Sequence, residues 1–399
     1  MLKSSIPGRV LAVAAALWLG LTPAVAGAVP RTACPEPAWR AEGAPQLWAW
    51  AAILMDWRTG EVLYAKNACN RRDPASTTKI LTAMIALERG TLSDQVKISR
   101  RAATTPGSSM YLGQGQLYSL HDLLHGLLLR SGNDAATAIA EHIAGSVEAF
   151  ADLMNAKARE IGATHSHFVN PHGLTDKEHF STAYDLAVIA RYALQNETVR
   201  QIVGLREAPI TLENLNRDVV LHNTNRLLWQ MEGVDGVKTG TTSAAGACLI
   251  ASATRDEQKL ISVVLHDGHR WSDSAHLLEW GFGRYQLAML GREGEVLLSR
   301  SVAGGKPELL PVAFGDDLAV VTPRAGAVMP KLEVELQQRI VAPVRKGQTV
   351  GQVTVRQHGQ VKAQAPLVAA QDVAKRNLLD NIMRGLKPFV RWLTQNDLL

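Results

Sequence analysis

Cysteine is scarce in this chain, which excludes one common way of stabilising a fold. The 399 residues contain 3 cysteines, Cys34, Cys69 and Cys248. This is too few for a disulfide framework, and an odd number leaves at least one thiol unpaired. A bridge between Cys34 and Cys69 would suit an oxidising compartment, whereas Cys248 lies in an apolar run and is predicted to be a buried strand residue. With 46% hydrophobic and 20% charged residues, the chain is expected to fold as ordinary globular domains.

A strong charge of one sign is also missing. The formal net charge is +5, and aromatic residues make up 5% of the chain. Apart from the C-terminus, no stretch combines clustered basic residues with aromatics, as nucleic-acid binding would require. There is no internal repeat and no low-complexity tract, so we expect no nucleic-acid partner.

Long apolar runs are absent as well. The N-terminal run, residues 10–21, is too short to favour a membrane span. Basic residues precede it, and small residues follow at 23–28, which is the layout of a secretory signal peptide. The alternative is a short membrane anchor. The pattern predicts a signal peptide over residues 1–28 and an exported protein on the outer face of the cytoplasmic membrane, periplasmic or extracellular.

In the remaining chain, the predicted secondary structure changes near Arg300. Residues 45–290 alternate apolar strands with helical patterns and predict an α/β (α+β) domain. Residues 296–371 are rich in valine and turn residues, with hardly any helical periodicity, and predict a small all-β domain.

Helical spacing returns at the C-terminus. Over residues 372–399, apolar and aromatic side chains recur at helical intervals, with Arg384, Lys387 and Arg391 largely opposite them. Such a basic amphipathic helix can lie in a membrane surface. The alternative is a helix docked on its own β domain, and Pro388 would bend either one. We expect a membrane-anchoring helix.

Residues 74–79 contain the most informative candidate for a catalytic site. Ser76 and Lys79 are three residues apart, just before an apolar helical pattern that ends at Gly90. On one helical turn these side chains can touch. A serine hydroxyl becomes nucleophilic when a base removes its proton, and a lysine can act as that base when its neutral form is accessible. The helix start also offers N–H groups to an oxyanion.

Two later motifs indicate the function of the Ser76–Lys79 pair. Ser131-Gly132-Asn133 follows an apolar helix, and Lys238-Thr239-Gly240 stands just before a strand. Ser-x-x-Lys, Ser-x-Asn and Lys-Thr-Gly, in this order, form the signature of the penicillin-recognising serine enzymes. Residues 73–83, 107–110, 128–135, 168–174 and 277–282 further resemble the low-molecular-mass penicillin-binding D-alanyl-D-alanine carboxypeptidases.

The resemblance implies a fold and a reaction. It implies a β-lactamase/transpeptidase-like catalytic domain with an antiparallel sheet and helices, a small β domain and a C-terminal amphipathic anchor. The implied reaction removes the terminal D-alanine from peptidoglycan pentapeptide stems, with β-lactam antibiotics as covalent inhibitors and no cofactor.

The resemblance also implies catalytic roles. Ser76 attacks the carbonyl between the two D-alanines, and Lys79 takes its proton. Lys238 would lower the pKa of Lys79 by like-charge repulsion. Ser131 could relay a proton to the leaving D-alanine, and Asn133 can hold a substrate amide.

Substrate binding would involve a second set of groups. The N–H groups of Ser76 and Thr241 would form the oxyanion hole. The terminal carboxylate would be bound around Lys238, Thr239, Gly240 and Thr241. Arg270 falls where related enzymes hold a carboxylate-binding arginine, and its bidentate geometry suits the task. The alternative for Arg270 is an arginine in a surface loop.

Histidine spacing does not predict a metal centre. His121 and His125 have the i, i+4 spacing of a zinc helix but lack the glutamate of that motif. His165, His167 and His172 lie in a segment whose family counterpart needs no metal. We expect these side chains to pack and to form hydrogen bonds.

Three other readings remain open. A class A β-lactamase needs a glutamate to activate the deacylating water. Glu213 lies too near Lys238 in sequence to be that glutamate, and Gly132 stands where those enzymes usually have an aspartate. A D,D-endopeptidase shares the chemistry, and Arg270 favours a free carboxylate. A non-catalytic wall-binding scaffold is the alternative from another class.

Overall fold

The computed structural model describes residues 43–212, 217–325, 330–357 and 359–377, with Ile382 and Leu386 as isolated positions beyond them. The predicted signal peptide lies outside these residues. Of the predicted C-terminal helix, residues 372–377 are described, and there Ala374–Lys375 form a short strand rather than the start of a helix, because they pair with Gly305–Lys306. The rest of that segment lies outside the described residues, apart from those two positions. Within the described part, no helix has the length and apolar character needed to cross a membrane.

The first part of the chain contains nine strands in the described residues. Five of them form one sheet in the order β2-β1-β9-β8-β7, with every neighbour antiparallel. The pairs β3 with β4 and β5 with β6 form separate two-stranded antiparallel sheets. The strands are β1 Ala51–Asp56, β2 Val62–Lys66, β3 Gln95–Lys97, β4 Leu117–Ser119, β5 Glu207–Leu212, β6 Arg217–His222, β7 Val234–Thr242, β8 Gly246–Arg255 and β9 Gln258–Leu265.

Helices cover both faces of the five-stranded sheet. Along β1, Ile53 and Met55 face a large core that includes side chains of the central helices, whereas Leu54 faces a second core with Leu277 and Leu278. Alternate side chains of a strand point to opposite faces, so a strand buried on both sides is apolar throughout. The helices are α1 Lys79–Arg89, α2 Arg100–Ala103, α3 Leu120–His125, α4 Asn133–Ala144, α5 Val147–Glu160, α6 Ala183–Ala193, α7 Glu197–Gly204, α8 Leu227–Gln230 and α9 Arg270–Arg284.

The start of α1 differs from the sequence expectation. Ser76 lies on a 3₁₀ turn, Ala75–Thr78, and Lys79 is the first residue of the α-helix proper. Side chains three residues apart nearly eclipse in 3₁₀ geometry, so Ser76 and Lys79 still meet. The helix ends at Gly90, as predicted.

The second part of the chain is all-β. Six strands form a sheet in the order β15-β17-β18-β13-β11-β16, and β10 pairs with β14. The strands are β10 Tyr285–Gly291, β11 Val296–Ala303, β12 Gly305–Lys306, β13 Leu309–Phe314, β14 Leu318–Pro323, β15 Lys331–Leu336, β16 Ile340–Val341, β17 Thr349–Gln357, β18 Gln360–Ala369 and β19 Ala374–Lys375.

Strand β10 joins the two parts. It begins directly after α9, before the change of pattern near Arg300. Leu287 packs against the core that contains α9, whereas Ala288 and Leu290 pack against the core of the β domain. Polar contacts add to this junction, including Arg324 Nε to the Phe282 carbonyl at 2.7 Å. The predicted fold class is therefore confirmed for the described residues: a mixed domain with an antiparallel sheet, followed by an all-β domain.

Candidate active site

The ammonium group of Lys79 lies at the centre of the site. Its Nζ is 2.8 Å from Ser76 Oγ, 2.7 Å from Asn133 Oδ1 and 2.7 Å from the His172 carbonyl oxygen. The Lys79 side chain is fully buried, and Ser76 is half-buried. The first two motifs of the sequence therefore meet at one nitrogen atom.

Burial changes the acid–base properties of this lysine. It lowers the pKa of Lys79 well below its usual value, and the nearby Lys238 lowers it further, while Asp134 acts in the opposite direction. The like-charge effect expected from the sequence is present, but desolvation is the larger cause. Burial therefore makes the neutral amine beside Ser76 more accessible than it is for an exposed lysine.

The Ser-x-Asn motif lies at a break between two helices. After α3, the chain forms a π-helical segment, Gly126–Arg130, and Ser131 then adopts a left-handed conformation with φ 66°. This reversal starts α4 at Asn133, and both Ser131 and Asn133 are buried. Asn133 Nδ2 donates to the Pro106 carbonyl at 2.6 Å, so the Asn133 amide is oriented with its Oδ1 toward Lys79.

Asp134 fixes the loop that covers this motif. Its carboxylate accepts hydrogen bonds from Ser109 Oγ at 2.6 Å and from the backbone N–H groups of Met110 and Leu112. The fully buried carboxylate thereby satisfies donors of a loop without regular structure. The sequence alone does not indicate this role of Asp134, although its position next to Asn133 is a usable signal.

The Lys-Thr-Gly motif lies on β7, the edge strand beside the Ser76 turn. Lys238 is buried, its Nζ donates to the Thr239 carbonyl at 3.1 Å, and burial with the nearby Arg270 lowers the pKa of Lys238 to about 7. A Cβ on Gly240 would lie 2.9 Å from the Ser76 nitrogen. Glycine at this position therefore lets the strand approach the Ser76 backbone. Thr239 Oγ1 is 2.6 Å from Thr224 Oγ1, a partner that the sequence did not indicate.

Arg270 reaches the same strand from α9. It is the first residue of that helix rather than a loop residue. One guanidinium nitrogen donates to the Gly240 carbonyl and to Thr241 Oγ1, each at 2.9 Å. The guanidinium also stacks on Trp271, at 4.6 Å from the ring centroid. The structure therefore places Arg270 beside the end of β7, with its planar group held by packing.

A turn over residues 170–174 closes the site opposite β7. The Asn170 side chain accepts the Gly173 N–H at 2.7 Å, which shapes the turn. Gly173 has φ +84°, and a Cβ there would lie 1.8 Å from the Ala75 carbonyl. The turn thus packs directly on the Ser76 segment and presents the His172 carbonyl to Lys79. The Asn-Pro-x-Gly sequence signals a turn, but not its contact with Lys79.

Where the structure describes them, the histidine and cysteine side chains do not gather into a metal centre. Among the described residues, no group of three or more His, Cys, Asp or Glu side chains is placed to hold a metal ion. His125 Nδ1 lies 2.9 Å from the His121 carbonyl, the contact of a packed helix. Cys248 is free and buried, while Cys69 is disulfide-bonded; Cys34 lies outside the described residues.

A buried lysine beside a serine at a helix start, on the edge of an antiparallel sheet, defines a serine hydrolase of the Ser–Lys class. Residues 39–268 match the family described as D-alanyl-D-alanine carboxypeptidase, peptidase S11, and residues 285–375 match the C-terminal domain of penicillin-binding protein 5. The chain belongs to this S11 family of serine-type carboxypeptidases.

Individual relatives are similar to this chain over most of its length. The carboxypeptidase DacF of Bacillus subtilis is 34% identical, over 86% of this chain and 90% of that protein. DacC of Escherichia coli is 36% identical, over 83% and 85%. The crystal structure of penicillin-binding protein 5 from Haemophilus influenzae superposes with a TM-score of 0.69 at 33% identity, covering 83% of this chain and 99% of that one.

Proposed function

We propose that this protein is a penicillin-sensitive D-alanyl-D-alanine carboxypeptidase that trims peptidoglycan stem peptides through an acyl-enzyme on Ser76. The observation that carries the proposal is the Ser76–Lys79–Asn133 cluster, in which a fully buried lysine touches the nucleophile at 2.8 Å. Membership of the carboxypeptidase family supports the same reaction.

Lys79 acts as the base because of the contacts around its nitrogen. A neutral amine has two N–H donors and one lone pair. Asn133 Oδ1 and the His172 carbonyl are both acceptors and take the two N–H groups. The lone pair then faces Ser76 Oγ, which donates its proton to Lys79 as the oxygen attacks the carbonyl carbon between the two D-alanines.

The tetrahedral intermediate develops charge beside β7. The N–H groups of Ser76 and Thr241 bind this oxyanion, since Gly240 lets the strand approach the Ser76 nitrogen. Breakdown of the intermediate breaks the amide bond, and the proton held by Lys79 passes through Ser131 to the leaving D-alanine nitrogen. Water then hydrolyses the ester on Ser76 and regenerates the hydroxyl.

The substrate's terminal carboxylate binds at the cationic end of the site. Lys238 and Arg270 supply positive charge, and Thr239 supplies a hydroxyl. Support comes from Arg270 contacting Thr241 Oγ1 and the Gly240 carbonyl through a single nitrogen, which leaves the other guanidinium nitrogens for a carboxylate.

A long-lived penicillin ester follows from the surroundings of Ser76. The buried carboxylate closest in sequence to the Ser-x-Asn motif, Asp134, already accepts several N–H and O–H donors. Within the described part of the chain, no carboxylate oxygen is hydrogen-bonded to Ser76 or Lys79. This favours a penicillin target over a β-lactamase, which needs a base for its deacylating water.

The remaining assignments concern location. We assign residues 45–290 to the catalytic domain and residues 296–371 to the β domain. Residues 1–28 direct export, and the amphipathic segment 372–399 holds the enzyme to the outer face of the cytoplasmic membrane.

The experiment measures release of the C-terminal residue, which is D-alanine from a diacetyl-lysyl-D-alanyl-D-alanine peptide and D-alaninamide from the corresponding C-terminal amide. The free acid should be the better substrate, and Arg270→Gln should remove most of the difference by raising KM for the acid. Equal turnover of both peptides by the wild type would instead favour an endopeptidase. No release from either peptide would contradict the proposed function.

A further inference from the structure

A cleft in the β domain has a strongly basic lining. Its volume is about 380 Å³. Three arginines and one glutamate line it, so the lining carries a formal charge of +2. The charged and hydrogen-bonding side chains of the lining include Arg300, Ser301, Glu308, Gln338, Arg339 and Arg376.

Three segments of the β domain meet at this cleft. The end of β11 pairs in parallel with β16, which places Arg339 beside Ser301. The third segment follows β19, where the backbone N–H of Arg376 donates to the Gly304 carbonyl at 2.8 Å. Strand pairing and this hydrogen bond therefore hold the backbone around the cleft in place.

The three arginines differ in how they are paired. Arg376 is 9% exposed, and its guanidinium lies 2.5 Å from a carboxylate oxygen of Glu308. Arg300 and Arg339 are exposed, and their side chains form no ion pair and no hydrogen bond with any residue in the described ranges. Because Glu308 compensates only one positive charge, two guanidinium groups remain for an anion.

The chemistry of these groups favours a phosphate as the ligand. A guanidinium presents parallel N–H donors that match two oxygens of one phosphate, and phosphate has enough oxygens to bind two arginines at once. The Ser301 hydroxyl and the Gln338 amide supply further donors at the same cleft.

The position of the cleft along the chain indicates where such a phosphate would come from. Leu378, the first apolar residue of the predicted anchoring segment after the β domain, is two positions beyond Arg376. Two residues span at most about 7 Å. Farther along that segment, Ile382 and Leu386 are exposed apolar side chains four residues apart. A membrane surface that holds this segment would therefore bring its headgroups close to the cleft.

We propose that the cleft binds the phosphate of an anionic phospholipid headgroup through Arg300 and Arg339 when the enzyme lies on the membrane. The β domain thereby makes its own contact with the bilayer surface, in addition to the anchoring segment. This inference rests on the proposed membrane location and is independent of the proposed reaction at Ser76.

The test measures binding of the chain without its predicted signal peptide to two kinds of vesicle. One is phosphatidylcholine alone, and the other is equal parts phosphatidylcholine and phosphatidylglycerol. Arg300→Gln with Arg339→Gln should weaken binding to the anionic vesicles by about twentyfold, from about fivefold for each basic residue at such a surface. Binding to phosphatidylcholine alone should change by less than twofold.

Two further double variants separate a phosphate site from general charge attraction. Arg300→Lys with Arg339→Lys keeps the charge but loses the paired donors, so binding to the anionic vesicles should recover only in part. Arg89→Gln with Arg159→Gln is the matched control. It removes two exposed arginines of α1 and α5, outside the cleft lining, and should leave binding within twofold of wild type.

The proposal is overturned if the Arg89 and Arg159 control weakens binding as much as the Arg300 and Arg339 change, or if the lysine pair binds like wild type. Calorimetry with glycerol phosphate distinguishes the source of the phosphate. Glycerol phosphate binding that depends on Arg300 and Arg339, without any effect of these residues on vesicle binding, would indicate a soluble phosphate ligand and overturn the lipid assignment.

The same proteins also separate this inference from the proposed reaction. Release of D-alanine from a soluble peptide should be unchanged in the Arg300 and Arg339 variants. If the wild type releases none, the proposed reaction fails while the vesicle comparison still decides the phosphate site. If the wild type binds neither kind of vesicle, the membrane location fails, and the phosphate site fails with it.

Discussion

The Nζ of Lys79 lies 2.8 Å from the Oγ of Ser76, and the lysine is completely buried. Its two other contacts are acceptors on Asn133 and His172, which belong to different parts of the chain. In the proposed mechanism, this contact makes the hydroxyl nucleophilic, because the neutral amine accepts the Ser76 proton through its lone pair.

The role of Lys79 as a base predicts a large effect of Lys79→Arg. The guanidinium keeps the positive charge but does not lose its proton in proteins. Loss of general-base catalysis typically costs about 10²–10⁴ in rate, so acylation by penicillin should slow by about a thousandfold in stopped-flow measurements. Lys97→Arg, at an exposed site, serves as the control. A Lys79→Arg rate within tenfold of wild type, in a variant with unchanged melting temperature, would contradict the role.

The burial of Lys238 should make the stability of the protein depend on pH. Its pKa falls from 10.5 to about 7 on folding, so burying the charge costs about 5 kcal/mol below pH 7. Between pH 7 and 10.5 the unfolded state binds the extra proton, and the contribution of this group to stability rises with pH. Lys238→Met removes the cost together with the activity.

Urea unfolding at pH 6, 8 and 10 measures this effect. Lys238→Met should exceed wild type in stability most at pH 6, and the gain should shrink toward pH 10. Lys97→Met controls for the loss of an exposed lysine. A gain independent of pH would show that packing, rather than charge burial, is responsible.

Gly173 predicts a coupling between the 170–174 turn and catalysis. A Cβ at this position would lie 1.8 Å from the Ala75 carbonyl, and φ is +84°. Gly173→Ala should therefore cost about 3 kcal/mol of stability and displace the His172 carbonyl from Lys79. Penicillin acylation should slow as well.

Gly162 provides the matched control. Its φ is +89°, but a Cβ there would meet nothing within 4 Å. Gly162→Ala should lower the free energy of unfolding only by the cost of a positive φ for alanine, about 1 kcal/mol. Penicillin acylation should be unchanged. Similar losses in the two variants would refute the specific contact between Gly173 and Ala75.

The sequence indicates which residues form the candidate site better than it indicates their geometry. The spacing of Ser76 and Lys79 and the two later motifs are local patterns, and the structure brings all three together. The same holds for β1, β8, β9 and the β domain, where apolar runs are long enough to predict strands.

The features missed from the sequence depend on contacts between distant segments. The His172 carbonyl reaches Lys79 across 93 positions of sequence, and Asp134 holds a loop more than twenty residues earlier. No local periodicity encodes such contacts. The sequence did not indicate strand β10, because its side chains face two different cores in turn. Its apolar pattern therefore does not mark where the mixed domain ends and the β domain begins.

Intact-protein mass spectrometry with penicillin, followed over hours, tests the central claim most directly. The wild type should gain one penicillin mass on Ser76 and keep it, and Ser76→Ala should gain none. Rapid loss of the adduct would indicate a β-lactamase. No adduct on the wild type, or an equal adduct on Ser76→Ala, would contradict the account.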